Sequence, residues 1–237
     1  MSTDESAKNA VRPGRRAPAK TSGQGLPAVR SGPSWGTYRE SIGDRSGLFG
    51  ALQERWPSAT ALYPGSYLDL SPSTAIPSVT YVDTDRRAAR YFADEARVAA
   101  ELQGRTSPGA GTSVAFLHAD YTTPLPLPPA TFDLLISLFA GPVWEHCRQH
   151  LSPGARLLAN TSHGDASLAA LDPRLQLVAA VLHRDGRYRL DLEDLGNYLI
   201  PKRPAAADPD VIRRQGRGIA YTRSAFAYVF EVTTQPY

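Results

Sequence analysis

The sequence predicts an α/β fold built on an open, mostly parallel, twisted sheet, with helices on both faces and an antiparallel strand at the C-terminal end. Short apolar runs alternate with segments of helical periodicity, and this alternation favours parallel strands joined by crossover helices. The length of 237 residues leaves room for one sizeable core rather than two. The apolar runs are residues 61–63, 79–82, 114–117, 132–138 and 155–159.

The N-terminal residues 1–34 differ in composition from the rest of the chain. They are rich in Ser, Gly, Pro, Ala and Arg and poor in large apolar side chains. Such a segment buries too little surface to offset the entropy lost on ordering. We therefore expect a disordered basic tail, followed by one domain over residues 35–237.

Two helices are predicted in the first half of the domain. The segment SGLFGALQERW has apolar residues at helical spacing. A second, continuous helix is predicted from Asp85 to a stop at Gly104. Between them, Pro72 and Pro77 argue against an ordinary crossover helix, because proline lacks the N–H that a helix needs. The side of the second helix that faces the core is predicted to hold Ala88, Phe92, Ala96, Ala99 and Leu102.

The second half is predicted to add a helix over residues 142–151, a Ser-Pro-Gly turn, and two strands, LQLVAAVLH and AFAYVFEVT. An Asp-Gly pair in HRDGRYRLD predicts a hairpin, and LEDLGNYLI predicts a short helix. Residues 184–224 are interpreted as a lid or an insertion. Their arginines Arg213, Arg214 and Arg217 either recognise an anionic substrate or face solvent or a partner.

Five short motifs follow one another between residues 61 and 160. They are Val82-Asp83, Asp120, Leu125-Pro126, Phe132-Asp133 and the Leu-Ser-Pro-Gly of residues 151–154. In this order they resemble the class I S-adenosylmethionine-dependent methyltransferases, a Rossmann-like family. In that family a strand ends in an acid, a Leu-Pro follows, a Phe-Asp opens the fourth strand and a Leu-x-Pro-Gly turn opens the fifth. The glycine-rich turn of the family is degenerate here.

The resemblance implies that S-adenosylmethionine is the cofactor and that two acids hold its nucleoside. Asp83 would accept hydrogen bonds from the ribose hydroxyls, and Asp120 would face the adenine amino group with Tyr121 beside the ring. Each acid has a structural alternative. Asp83 or Asp85 caps the following helix, and Asp120 stabilises a turn.

The turn after the first strand departs from the family pattern. It contains one glycine, Gly65, between a proline and Ser66. The polar residues Tyr63, Ser66, Tyr67 and Asp69 either form a different floor for the amino acid part of the cofactor or are turn chemistry only. The predicted cofactor-binding residues are Tyr63, Gly65, Ser66, Asp83, Asp120 and Tyr121.

The catalytic group is not identified by the sequence, and His163 is a candidate for a general base or a substrate contact. Its alternative is a loop in which Thr161 or Ser162 caps the next helix. His146 and His150 share a helix face without an obvious acidic third ligand, so no metal site is predicted.

The sequence therefore predicts a methyltransferase that acts on an unidentified small molecule; the alternative is a non-catalytic methyltransferase-like scaffold or binding domain. A nicotinamide enzyme is disfavoured, because neither its three-glycine turn nor a Tyr-x-x-x-Lys pair is present. No nucleic-acid partner is expected without a basic stripe interleaved with aromatics. No apolar run approaches the roughly 20 residues of a membrane span. A cytoplasmic location is expected from the single cysteine and the absence of a secretory signal.

Overall fold

The computed structural model describes residues 32–106 and 112–233, and within them eight strands form a single sheet. The strand order is β3-β2-β1-β4-β5-β8-β6-β7. Strands β1 to β5 are parallel, and the last three strands join through antiparallel pairs. The predicted fold class is confirmed. The strands are β1 (Thr60–Pro64), β2 (Ser78–Asp83), β3 (Ser113–His118), β4 (Phe132–Ser137), β5 (Leu151–Ala159), β6 (Leu175–Arg184), β7 (Arg187–Asp191) and β8 (Ala227–Val232).

Helices cover both faces of the sheet. Successive strand residues point to opposite sides, so each strand contributes side chains to two apolar clusters. Leu62 of β1 joins the apolar cluster of Val143 and Trp144 on one face. Its neighbour Tyr63 joins the cluster of Leu48 on the other face. The described helices are α1 (Trp35–Ile42), α2 (Ser46–Arg55), α3 (Arg86–Phe92), α4 (Glu95–Leu102), α5 (Val143–Cys147), α6 (Asp165–Ala169) and α7 (Pro209–Gln215).

The strand order reverses beside β1, which pairs with β2 on one side and with β4 on the other. In open α/β sheets, ligands bind outside the carboxyl ends of the strands at such a reversal. The opposite edge carries a structural acid. Asp133 accepts hydrogen bonds from the backbone N–H groups of Ala59 (2.8 Å) and Thr60 (3.0 Å), so it fastens the start of β1 to β4.

The prediction of one helix from Asp85 to Gly104 is wrong. The segment forms two helices, α3 and α4, separated by a break at which Asp94 caps α4 by accepting from the Arg97 N–H (3.1 Å). The break rotates the second half, so Ala96 and Ala99 are exposed while Val98 and Leu102 are buried. An early polar cap therefore outweighed the alanine periodicity.

Three further predicted elements are shorter in the structure or lie elsewhere in the chain. The helix expected over residues 142–151 is α5 followed by a 3₁₀ turn, and β5 already begins at Leu151. The Ser-Pro-Gly segment thus lies inside β5, where the pairing register shifts and Gly154 takes a φ of 73°. LEDLGNYLI forms only a 3₁₀ turn at Leu195–Asn197, and the following Arg- and Gly-rich segment contains α7.

Several local predictions are confirmed. The helix in SGLFGALQERW is α2. The Asp185-Gly186 turn joins β6 to β7, with φ values of 50° and 72° that suit a tight hairpin. In place of a first crossover helix there is a 3₁₀ turn at Ser71–Thr74. The sequence did not predict α1, whose N-cap is Ser34.

The predicted tail falls mostly on residues 1–31, which lie outside the described residues. In the part of the chain that is described, none of the helices is both long and apolar enough to cross a membrane.

Candidate cofactor and active site

A small cleft of about 180 Å³ lies at the carboxyl ends of β1, β2 and β3. Four of the six predicted cofactor-binding residues meet there, because the ends of neighbouring parallel strands share one edge. Tyr63 and Ser66 do not line it. The cleft is lined by Gly65, Asp83, Thr84, Ala119, Asp120, Tyr121 and Thr122.

Asp83 ends β2 and is half-buried. One carboxylate oxygen accepts the backbone N–H of Tyr67 (2.7 Å), and the other accepts that of Asp85 (2.8 Å). Asp85, not Asp83, caps α3 by accepting the Arg87 N–H (2.7 Å). Each oxygen of Asp83 retains acceptor capacity toward the cleft, because a carboxylate oxygen can accept two hydrogen bonds.

Asp120 follows β3 and is exposed. Its Oδ1 accepts both the N–H (2.9 Å) and the hydroxyl (2.7 Å) of Thr122. These two bonds hold the pKa of the Asp120 carboxyl below its ordinary value. The turn-stabilising role is thus present, and among the described residues Oδ2 has no hydrogen-bond partner, which leaves it available to a ligand.

Tyr121 closes one side of the cleft. Its hydroxyl oxygen accepts the backbone N–H of Gly141 (3.0 Å), so the ring reaches from the end of β3 to the loop after β4. Burial raises the pKa of the Tyr121 hydroxyl. A Cβ placed on Gly65 would lie 3.9 Å from this ring and 2.8 Å from the Cβ of Ala140. Gly65, at a φ of 67°, is therefore already packed against the β4 loop.

Tyr63 and Asp69 belong to a buried polar network beneath the same turn. Asp69 is 1% exposed and accepts from Arg45 Nη1 (3.0 Å) and the Tyr63 hydroxyl (3.2 Å). Its other oxygen accepts the backbone N–H of Ser71 (3.1 Å). Burial and the negative charge of Asp69 raise the pKa of Tyr63 far above its ordinary value. Both side chains are 1% exposed, so in this conformation neither is accessible to a ligand.

Sequence reasoning missed Arg45, which comes from the start of α2. It is 5% exposed, and its guanidinium lies 4.7 Å from the ring centroid of Phe139. Phe139 follows β4, is 47% exposed and takes a φ of 61°, which is unusual for an aromatic residue. The buried hydroxyl of Ser66 has no hydrogen-bond partner among the described residues.

Asp165, at the start of α6, is a second buried acid that sequence reasoning missed. It is 1% exposed, and its Oδ2 accepts the backbone N–H of Trp144 (3.3 Å). The hydroxyl of Ser137 lies close enough to lower the pKa of the carboxyl, but outside hydrogen-bond geometry. Burial outweighs these contacts and raises the pKa of Asp165 to about 7.

His163 is exposed in the loop after β5, and its Nδ1 lies 3.0 Å from the Ser162 hydroxyl. The side chains of Thr161 and Ser162 do not cap α6, whose N-cap position is Gly164. Among the described residues no group of three His, Cys, Asp or Glu side chains could hold a metal ion.

The cleft residues fit one half of S-adenosylmethionine better than the other. Asp83 has spare acceptor capacity for a ribose diol, and Asp120 and Tyr121 offer an acceptor and a ring for an adenine. Beside Gly65, however, Ala140 fills the space in which a Cβ would lie. The volume of about 180 Å³ is below the roughly 300–1,000 Å³ of typical ligand pockets. A whole cofactor would therefore have to extend beyond this cleft.

No protein-family model matches the sequence, and no curated protein matches it. Solved structures similar to this chain include S-adenosylmethionine-dependent methyltransferases. One from Thermotoga maritima, described as a possible histamine N-methyltransferase, is 11% identical with a TM-score of 0.48, covering 84% of this chain and 94% of that one. Another, from Methanosarcina mazei, is 16% identical with a TM-score of 0.39, covering 78% and 96%.

The [4+2]-cyclase SpnF is also similar, at 18% identity and a TM-score of 0.35, over 48% of this chain. The match spans less than half of the cyclase, 43% of its length. At such identities the likeness concerns the fold alone, so any function has to rest on the residues of this chain.

Proposed function

We propose that this chain binds S-adenosylmethionine at the carboxyl edge of its sheet and transfers the methyl group to a small molecule. The observation that carries the proposal is the cleft in which Asp83, Asp120 and Tyr121 converge beside Gly65. It lies next to the strand-order reversal, where open α/β sheets bind ligands.

The side chains around the cleft would divide the binding work. Asp83 would accept from the two ribose hydroxyls, and hydrogen bonds to a charged acceptor contribute roughly 1.5–3 kcal/mol each. Asp120 Oδ2 would accept from the exocyclic amine of adenine, and the Tyr121 ring would cover the base. The cofactor supplies a methyl group already activated by the positive sulfur.

With the methyl group already activated, the remaining tasks of the protein are to align the acceptor at about 3–3.5 Å and to exclude water. Phe139, exposed beside the end of β4, offers an apolar surface for that purpose. His163 at the end of β5 remains the predicted general base for an acceptor that must lose a proton.

Calorimetric titration with S-adenosylhomocysteine tests the proposal. Wild-type protein should bind, and Asp83→Asn should weaken the affinity about tenfold or more, since a charged acceptor is lost. Asp85→Asn is a matched control, because Asp85 is two residues away and caps α3 without lining the cleft. It should change the affinity less than about twofold.

Absence of binding to wild-type protein at millimolar S-adenosylhomocysteine would overturn the proposal in favour of a non-catalytic scaffold. Equal losses in Asp83→Asn and Asp85→Asn would contradict the ribose-binding role of Asp83, because the loss would then not be specific to that carboxylate.

A further inference from the structure

A groove of about 560 Å³ in the C-terminal insertion has three cations and no acid among its lining residues. Its charged side chains are Lys202, Arg203 and Arg217, and all three are exposed. Within the described residues none of them forms an ion pair or a side-chain hydrogen bond. Three cations around one concavity repel each other, so an anion placed among them is stabilised by all three.

Of the three arginines that the sequence suggested for anion recognition, only one lines this groove. Arg213 is not available, because its guanidinium is paired with Glu145 (2.7 Å) and Asp210 (2.9 Å). Arg214 does not line the groove. Arg217 does, and it is the member of the predicted set that the groove retains.

The floor of the groove is fixed to the carboxyl edge of the sheet. The backbone N–H of Gly218 donates to the Thr161 carbonyl in the loop after β5 (2.8 Å). A Cβ on Gly218 would collide with that carbonyl and lie 2.9 Å from the Ser167 hydroxyl. The groove thus adjoins the loop that carries His163.

The two chain segments of the groove are also joined to each other. The Lys202 N–H donates to the Ala220 carbonyl (2.9 Å), and Pro201 pairs with Tyr221 in an antiparallel bridge. These backbone contacts hold together the two chain segments that carry the three cations.

We infer that this groove binds a phosphate or carboxylate group carried by the methyl acceptor. The inference rests on the proposed function for the identity of the ligand as an acceptor. Arginine suits this chemistry, because its planar guanidinium donates two parallel hydrogen bonds to a carboxylate or phosphate. The volume is within the range of small-molecule sites. The anion would anchor the far end of a substrate whose reacting atom extends toward the strand ends.

Inorganic pyrophosphate is the probe, titrated calorimetrically into the full chain at low ionic strength. The wild type should bind it, and the triple variant Lys202→Gln, Arg203→Gln, Arg217→Gln should bind about tenfold or more weakly, because the charge-assisted hydrogen bonds are lost. S-Adenosylhomocysteine affinity, measured on the same samples, should not change.

A matched control removes three charges from a second arginine-rich groove, on the β6–β7 hairpin: Arg184→Gln, Arg187→Gln, Arg189→Gln. It should retain pyrophosphate binding within about twofold. Equal weakening in both triple variants would overturn the inference, because net charge alone would then explain the effect.

The remaining outcomes separate the inference from the proposed function. If the protein binds S-adenosylhomocysteine but not pyrophosphate, the anion site is overturned and the proposed cofactor site stands. Pyrophosphate binding without S-adenosylhomocysteine binding supports the anion site and overturns the methyltransferase. A groove variant that loses affinity for single-stranded RNA but keeps pyrophosphate binding would replace the small anion by a nucleic acid.

Discussion

The turn after β1 and the ends of β2 and β3 lie at the same edge of the sheet, but their carboxylates differ in accessibility. Asp69 in the turn is 1% exposed and has three hydrogen-bond partners in a buried network. Asp83 and Asp120 line a cleft, and their protein partners leave acceptor positions free. The part of the proposed site that would hold the nucleoside is therefore accessible, while the part that would hold the methionine portion is buried.

The largest expected effect comes from breaking the buried part. Arg45→Met leaves the buried Asp69 without its cation and should lower the free energy of unfolding by about 3–5 kcal/mol. Urea denaturation measures it. Arg39→Met is the control, because Arg39 pairs with the half-exposed Asp44 and such pairs contribute about 0–1 kcal/mol. A loss in Arg45→Met of no more than about 1 kcal/mol, as expected for Arg39→Met, would show that the network beneath the turn does not stabilise the fold.

Asp165 shows what burial does to an acid without a cation. Its pKa is raised from 3.8 to about 7, so the folded state keeps a proton that the unfolded state has lost. Its contribution to stability is complete below pH 3.8 and is lost as the pH rises through about 7, at about 1.4 kcal/mol per pH unit. Asp165→Asn should remove this dependence, so between pH 4 and pH 8 the free energy of unfolding of the wild type should fall by about 2–4 kcal/mol more than that of the variant.

Denaturation of both proteins between pH 4 and 8 checks this prediction. Parallel pH profiles for the wild type and Asp165→Asn would contradict the raised pKa.

The closure beside Gly65 can be tested by a double-mutant cycle. Gly65→Ala should cost about 2–3 kcal/mol, partly from the left-handed backbone and partly from contact with Ala140 at 2.8 Å. Ala140→Gly should recover only the contact part, since the φ of 67° is unchanged. Thermal denaturation of the four proteins gives the coupling energy. A coupling near zero would mean that the turn is not packed against the β4 loop.

The smallest expected effect is at the edge between the two parts. Tyr121→Phe removes the acceptor of the Gly141 N–H and should cost about 1 kcal/mol of stability. Since the hydrogen bond that ties Tyr121 to Gly141 is lost, S-adenosylhomocysteine should associate faster, which stopped-flow fluorescence measures. Slower association would show that the hydroxyl helps to bind the ligand and does not close the cleft.

The sequence was sufficient to predict that Asp83 and Asp120 converge, but not that Asp69 is buried in an ion pair. Asp83 and Asp120 each follow an apolar run, and parallel strand ends meet at one edge, so their convergence can be predicted from local patterns. The burial of Asp69 depends on Arg45, which is 24 residues away in the chain. No local pattern shows such a pairing.

Periodicity was least informative where small residues carried it. The spacing of Ala96 and Ala99 is consistent with an apolar helix face, but alanine tolerates exposure. Asp94 caps a new helix, so the face is rotated. Asp133, part of the motif that suggested the family, stabilises the opposite edge of the sheet. Its presence in the motif therefore reports on architecture and not on ligand binding.

The most direct test of the accessible and buried parts is to offer the cofactor in two pieces. Adenosine and L-methionine are titrated separately while backbone amide resonances are followed by NMR. The expected result is that adenosine shifts the amides of Asp83, Asp120 and Tyr121, whereas methionine shifts none of them. Binding of methionine without adenosine, or adenosine shifts confined to residues remote from the cleft, would contradict the account.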